Sequence, residues 1–317
     1  MDTVVLMTDH SSTEGSRFLL EKAVEIVTGT PPLSVDARHF MDGGEGRAVV
    51  TRSGLRLEVP PEDLITRPDV LIVYEIPPTA RQRFAAFQRE LPAGGRFSFA
   101  ADPQAWRNAT DKGRTVDCFR RDGIAHTDTV ALTRPKSATA LDAFDRLGRD
   151  VWARPTVGAG GNDVFHLTTP AQVDTAMRYY AASGQDWLLS RDARNFTKDG
   201  RRHQFRVVVL GDRVLRVCEH VQADPDAPCN ESQGAVSTVL PIDALPAEYH
   251  RLAIAATRSL GLPFGGVDLV TENGGAVFEV NVHPVIEEPG GLDMVAVPFV
   301  QAACSSGFGT RAVRTDD

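Results

Sequence analysis

Two short stretches near the end of the chain leave little choice of fold. Gly266-Val267-Asp268-Leu269-Val270 is followed by Asn273-Gly274-Gly275 and then by Val277-Phe278-Glu279-Val280-Asn281-Val282-His283-Pro284. An Asn-Gly-Gly step between two apolar, β-branched runs predicts a strand hairpin. Residues i and i+2 of a strand share a face, so Glu279 and Asn281 point together while Phe278, Val280 and Val282 point the other way. A tight return sets Asp268 beside them on the neighbouring strand. Two carboxylates and an amide oxygen make a hard-oxygen set of the kind that suits Mg²⁺, which takes a few carboxylates together with phosphate oxygens. The same residues would also serve as the wet face of an ordinary hairpin.

A second feature is Trp152-Ala153-Arg154-Pro155-Thr156-Val157-Gly158-Ala159-Gly160-Gly161-Asn162-Asp163-Val164. Here a strand ends in a cation, and a Gly-rich loop returns into another strand. Glycines let backbone N–H groups approach phosphate oxygens and form an anion nest. No GK[ST] follows, so the loop is not a P-loop. Read by itself, such a loop is equally a plain turn. A third feature is Lys112, one of only four lysines, in Asn108-Ala109-Thr110-Asp111-Lys112-Gly113-Arg114-Thr115. A cation at a helix start opposes the helix dipole, so an anion is a natural partner for it. A solvated surface lysine is the plain alternative.

At 317 residues the chain is too long for one average domain. The first hundred residues alternate. Strand Val4–Thr8, helix Ser12–Val27, a short strand at Val35–Ala37, a hairpin through Ser53-Gly54, strand Val70–Tyr74 and helix Thr79–Leu91 predict a small, mostly parallel sheet. This pattern is Rossmann-like, but without GxGxxG it implies no dinucleotide. From Asp102 the pattern changes to an α+β unit, with a helix over Gln104–Gly123 broken near Thr110. The last third is rich in strands, with a final helix near Leu292–Cys304 and a polar tail. The net charge of −8 argues against a nucleic-acid partner. No apolar run approaches the roughly 18–20 residues of a membrane span. Four scattered cysteines and the absence of a basic leader before the first strand predict a reduced, cytoplasmic setting.

Taken in order, these features resemble the ATP-grasp superfamily. The nearest pattern is the branch of ribosomal-protein glutamate ligases, glutathione synthetases and D-alanine–D-alanine ligases. Asn108–Thr115 resembles the family's helix start, and Asp122-Gly123-Ile124 the end of that helix. Arg154–Val164 resembles its strand and phosphate loop. Leu188–Arg191 falls at its interdomain hinge, and Arg206 at its "D-x-R-x-x-V-V" strand. Asn230–Ala235 falls at its "N-x-x-x-G-G" segment. Asp268 with Glu279-Val280-Asn281 resembles its metal motif. The resemblance covers about residues 100–300. It implies a Rossmann-like pre-ATP-grasp domain (1–102), a central subdomain carrying the phosphate loop (103–186) and a C-terminal subdomain carrying the metal site (187–317).

The implied activity is ATP-dependent ligation of a small-molecule carboxylate to an amine or thiol through an acyl phosphate. The acceptor would be an amino acid, a peptide or a ring-forming precursor, and a homodimer is the assembly common among such ligases. The resemblance assigns ATP to Lys112, Arg154, Gly158, Gly160, Gly161, backbone near Leu189, Arg191 and Asp192. It assigns Mg²⁺ or Mn²⁺ to Asp268, Glu279 and Asn281, and action on the reacting groups to Arg206, Arg154 and Asn281. Substrate contacts fall to Arg216, Asn230, Glu231, Ser232 and His283, with Glu287-Glu288 as a polar wall. The chain also departs from the family. Arg154 stands where lysine is usual, Asp192 is a stand-in for the acid that holds the ribose, and Gln204 replaces the aspartate two residues before Arg206. These departures motivate the alternative of a non-catalytic ATP-binding regulator with the same fold.

Overall fold

The structure, a computed structural model, describes residues 2–51, 54–91, 99, 102–286 and 290–305. The chain forms two compact units, one from the described residues of 1–104 and 283–317, the other from Ala105–Val282. Among the described residues no helix is long and apolar enough to cross a membrane.

The first unit opens with β1 (Val4–Thr8), α1 (Ser16–Thr28) and β2 (Leu33–Asp36). A three-stranded antiparallel sheet follows, built from β3 (Arg47–Thr51), β4 (Gly54–Val59) and β5 (Leu64–Thr66). Then come β6 (Val70–Val73) and α2 (Pro78–Glu90). Strands β2, β1 and β6 lie side by side in parallel. β1 and β6 are apolar along nearly their whole length and every residue is buried, as expected where both faces are covered. Helix α1 starts four residues later than the periodicity predicts, because its first turn is capped from a distance. The Glu75 carboxylate accepts from the N–H groups of Gly15 at 3.3 Å and Arg17 at 2.7 Å. It thereby satisfies donors that a helix N-terminus leaves without partners.

The second unit begins as the chain passes through α3 (Pro103–Thr110) into α4 (Lys112–Asp122). The break between them lies at Asp111, whose carboxylate accepts from the Gly113 and Arg114 N–H groups as an N-cap. Next come β7 (Thr129–Leu132), α5 (Ser137–Arg146), β8 (Val151–Pro155), β9 (Phe165–Leu167), α6 (Pro170–Ser183) and β10 (Trp187–Arg191). They form an antiparallel sheet in the order β7-β10-β8-β9, backed by a core that includes Phe144, Tyr180 and Trp187. Strands β11 (Arg202–Leu210), β12 (Arg213–Gln222) and β13 (Val236–Leu240), helix α7 (Ala247–Leu260), and strands β14 (Phe264–Val270) and β15 (Ala276–Asn281) complete the unit. The second sheet runs β13-β12-β11-β14-β15, antiparallel throughout, and α7 packs on one face of it. Strands β5 and β7 were not anticipated. Three or four residues are too few to establish alternation, and neighbouring strands define them.

After β15 the chain rejoins the first unit. The Tyr74 hydroxyl donates to the Pro284 carbonyl at 2.5 Å, the Ile76 N–H to His283 Nδ1 at 3.3 Å, and the Ile286 N–H to Ser16 Oγ at 3.0 Å. A π-helical turn at Gly291–Ala296 leads into α8 (Val297–Cys304), which packs on α1 and β6. The sequence boundaries assign this segment to the last subdomain. Its contacts place it instead with the N-terminal strands, because its apolar face, centred on Phe299, covers Tyr74.

The seat of α7 on β14 depends on a missing side chain. A Cβ at Gly265 would lie 2.9 Å from Thr257 Cγ2 and 3.0 Å from Val280 Cγ1. Gly265→Val is therefore expected to lower stability by about 2 kcal/mol through overpacking, read as a lower thermal midpoint. An unchanged midpoint would mean that α7 is not seated on β14 in this way.

Candidate active site

The register of the second sheet brings the polar residues together. Arg206 on β11 sits opposite Asp268 on β14, and Asp268 sits opposite Glu279 on β15. Gly266 is opposite Asn281, so no side chain intervenes there. Directly opposed residues share a face, and the face expected for Glu279 and Asn281 is the one the register produces. The Arg206 guanidinium grips Asp268 with two hydrogen bonds, 2.7 and 2.9 Å. The Asn281 amide Nδ2 donates to Asp268 Oδ2 at 3.2 Å, the oxygen that also accepts from Arg206 Nη2. Burial works against the Arg206 charge, but the carboxylates of Asp268 and Glu279 outweigh it and hold its pKa above the ordinary value.

Two further cations come from other elements. Lys112, the first residue of α4, lies 3.4 Å from Glu279 Oε2 and donates to the Gly158 carbonyl at 3.1 Å. Its own N–H donates to the Thr156 carbonyl, which ties the helix start to the end of β8. Arg154 on β8 lies 3.8 Å from the same Glu279 oxygen and donates to the Phe278 carbonyl at 3.2 Å. Burial would raise the Glu279 pKa, but Lys112, Arg154 and Arg206 together overcome it and keep the carboxyl below its ordinary range. The balance at Arg154 falls the other way. Its burial presses the pKa below the ordinary value despite Glu279 and Asp268. Its Nε is buried and has no hydrogen-bond partner among the described residues.

Lys112, Arg154, Asp268 and Glu279 line one open cleft. The Gly-rich loop forms one wall. Gly160 and Gly161 both adopt left-handed backbone, with φ of 69° and 68°. A Cβ on Gly161 would come within 2.9 Å of Gln233 Cγ and 3.0 Å of Pro228 Cγ, so glycine is required there for conformation and for space. The far end of the loop is anchored at Asp163, whose carboxylate accepts from the Tyr179 hydroxyl and whose carbonyl accepts from Tyr180.

At the hinge the structure departs from expectation. β10 is flanked by β7 and β8, so the backbone of Leu189 is committed to the sheet. The N–H groups of Arg191 and Asp192 donate to the carbonyls of Asp128 and Asp150. Of the three residues expected here only Arg191 lines the cleft, together with Ser190, Ala193 and Asn195. The Arg191 guanidinium pairs with Asp128 at 3.1 Å. Asp192, the expected ribose acid, is not among the residues that line the cleft. Its side chain is only 2% exposed and takes up Arg202 at 2.8 Å, the Trp152 indole N–H at 2.6 Å and the Arg194 N–H at 2.6 Å. Asp192, Asp150 and His166 converge closely enough to hold an ion. Arg202 and Trp152 already satisfy Asp192, however, and the His166 ring lies between Asp150 at 2.8 Å and Asp226 at 2.6 Å. The cluster is therefore an internal ion network.

The expected substrate contacts separate. Asn230 lines the cleft. Arg216 is buried on the same sheet face, opposite Val208. Glu231 and Ser232 are exposed, and Ser232 turns to the Gly160 carbonyl. His283 belongs to the first unit, where it is buried against Tyr74, and burial holds its pKa well below the ordinary histidine value. Glu287 and Glu288 lie outside the described residues. Trp152, Arg202 and Gln204 line the cleft but were not picked out as site residues. Trp152 stands two residues before Arg154, and Arg202 and Gln204 stand four and two before Arg206, so the alternation used for Glu279 and Asn281 would have placed them on the same faces.

Comparison with known proteins agrees with this geometry. The RimK-like ATP-grasp domain matches residues 109–294. A probable alpha-L-glutamate ligase of Haemophilus influenzae (strain PittEE) is 24% identical over 222 residues, covering 69% of this chain and 71% of the relative. Two solved structures share the fold. D-alanyl-alanine synthetase A of Vibrio cholerae aligns with a TM-score of 0.66 at 15% identity, covering 96% of this chain and 98% of that one. The ATP-grasp ligase PsnB, solved with a phosphomimetic variant of its minimal precursor, Mg and ADP, aligns at 0.63 and 15% identity over 96% and 98%. The chain belongs to the RimK-like ATP-grasp domain family.

Proposed function

We propose that this chain is an ATP-dependent carbon–nitrogen ligase that activates a carboxylate as its acyl phosphate and passes the acyl group to an amine. One observation carries the reading. The Glu279 carboxylate faces Lys112 and Arg154 at 3.4 and 3.8 Å, too long for tight ion pairs, beside an Arg154 Nε with no partner among the described residues and a loop with left-handed glycines. Such a cluster is arranged for a polyanion and its counter-ion. The donor set of Asp268, Glu279 and Asn281 fits magnesium or manganese, both of which favour oxygen ligands. A bound divalent ion would neutralise charge on the phosphates during transfer.

Within this reading, Lys112 and Arg154 hold the phosphates of the co-substrate ATP against the glycine loop. Arg206 faces the oxygens of the group being transferred, where a fixed cation stabilises developing negative charge. The carboxylate oxygen attacks the γ-phosphorus, and ADP departs with the electrons of the broken P–O bond. The amine then attacks the acyl carbon, inorganic phosphate leaves, and the nitrogen sheds its proton. The cleft walls keep water from the acyl phosphate. The glutamate ligase name of the relative makes an amino-acid amine the first acceptor class to screen. A carboxylate screen with hydroxylamine as the nucleophile tests the chemistry: a ligase yields an acyl hydroxamate and ADP, whereas a nucleotide-binding regulator yields neither with any acid.

Substitutions at three residues probe this reading. Glu279→Gln is expected to lower ATP turnover by roughly 100-fold or more while the thermal midpoint stays near that of the wild type. Undiminished turnover would remove Glu279 from the metal site. Arg154→Lys should retain much of the activity, and Arg154→Ala should raise the KM for ATP by more than about tenfold, the scale of one charge-assisted contact. Equal effects from the two would show that the charge is not what matters. Lys112→Ala should raise the same KM, and an unchanged value would leave Lys112 a partner of Glu279 only.

A further inference from the structure

The connection between β12 and β13 does more than join two strands. Its short 3-10 turn, Glu231–Gln233, is capped by the Asn230 side chain, which accepts from the Ser232 N–H at 3.1 Å. From that turn, Ser232 Oγ lies 2.5 Å from the Gly160 carbonyl and 2.9 Å from Asn230 Oδ1, its one proton serving the shorter contact, and Gln233 Nε2 donates to the Gly160 carbonyl at 3.0 Å. Gln233 also reaches Asn162 Oδ1 at 3.3 Å. Two donors from a segment some seventy residues away thus converge on one backbone oxygen in the middle of the glycine loop.

The peptide joining Gly160 and Gly161 has glycine on both sides, so no Cβ resists its rotation. In a planar trans peptide the carbonyl and the N–H point in opposite directions. Fixing the Gly160 carbonyl on Ser232 and Gln233 therefore fixes the Gly161 N–H on the side away from the turn. A flipped peptide would present a carbonyl oxygen, and hence negative charge, where an anion nest needs a donor.

We infer that Ser232 and Gln233 are positioning residues for the phosphate loop: they hold the Gly160–Gly161 peptide in the orientation that offers the Gly161 N–H to the nucleotide. The inference rests on the nucleotide reading of the cleft, and it gives Ser232 a different task from the acceptor contact that its place in the sequence suggests. Ser232 is exposed and Gln233 is half-buried on a surface turn, so neither is needed for the core.

Calorimetric titration of Mg²⁺ with a non-hydrolysable ATP analogue into the full chain tests this without any acceptor. Ser232→Ala combined with Gln233→Met should weaken binding roughly tenfold, about the worth of two neutral hydrogen bonds. Ser232→Thr, which keeps the hydroxyl, should bind like the wild type. Amide hydrogen exchange at Gly160 and Gly161 should quicken in the double variant, with the thermal midpoint unmoved. Wild-type affinity in the double variant would overturn the assignment and return Ser232 to the acceptor side. Absence of nucleotide binding by the wild type is a different result, since it would overturn the proposed function itself.

Discussion

Everything in the cleft is referred to the pair Arg206–Asp268. The two side chains lie on adjacent strands, directly opposed, and meet through two parallel hydrogen bonds. A planar guanidinium gripping a carboxylate in this way fixes direction as well as distance. Asp268 is thereby held at the centre of the sheet face, with Glu279 opposite it on the next strand and Asn281 donating to its Oδ2. A slip of one residue between β11 and β14, or between β14 and β15, would send one of these side chains to the helix-covered face. The buried apolar residues Val267 and Leu269 make such a slip costly, since it would expose them to the cleft. The core on one face thus enforces the chemistry on the other.

The cations reach this face by a different route. Lys112 is carried by a helix start and Arg154 by a strand of the other sheet, and the two meet only at Glu279. The backbone bond from Lys112 to Thr156, and the side-chain bond from Lys112 to Gly158, connect the helix, the end of β8 and the loop. The loop in turn is held at Gly160 by the 231–233 turn and at Asp163 by two tyrosines. Its left-handed glycines lie between these two anchored points.

What could be read from the residues alone was whatever is local or periodic. Alternation places Glu279 with Asn281, and the Asn-Gly-Gly step marks the return to Asp268. The break before Lys112 is legible because Asp111 is a strong N-cap. What could not be read depends on partners far along the chain. Helix α1 begins at Ser16 because Glu75 caps it. Asp192 is buried behind the cleft wall because Arg202 and the Trp152 indole, which line the cleft, take up its carboxylate. His283, two residues beyond Asn281, passes to the first unit because Tyr74 and Ile76 receive it. No spacing in the sequence records those encounters. The cleft-lining Trp152 and Gln204 are another matter, since the alternation that placed Glu279 and Asn281 places them as well.

The charges on the sheet face have a thermodynamic consequence. Three side-chain cations, Lys112, Arg154 and Arg206, surround two carboxylates, Asp268 and Glu279. The surplus is positive. A divalent metal arriving alone would meet net repulsion in a partly desolvated cleft, and a bare triphosphate would meet the two carboxylates. Each ligand supplies the charge that makes the site acceptable to the other, so their affinities are linked and each strengthens the other's by the same factor. On the proposed function, such a cleft would select the metal–nucleotide complex over either component, and the free magnesium concentration would control nucleotide occupancy.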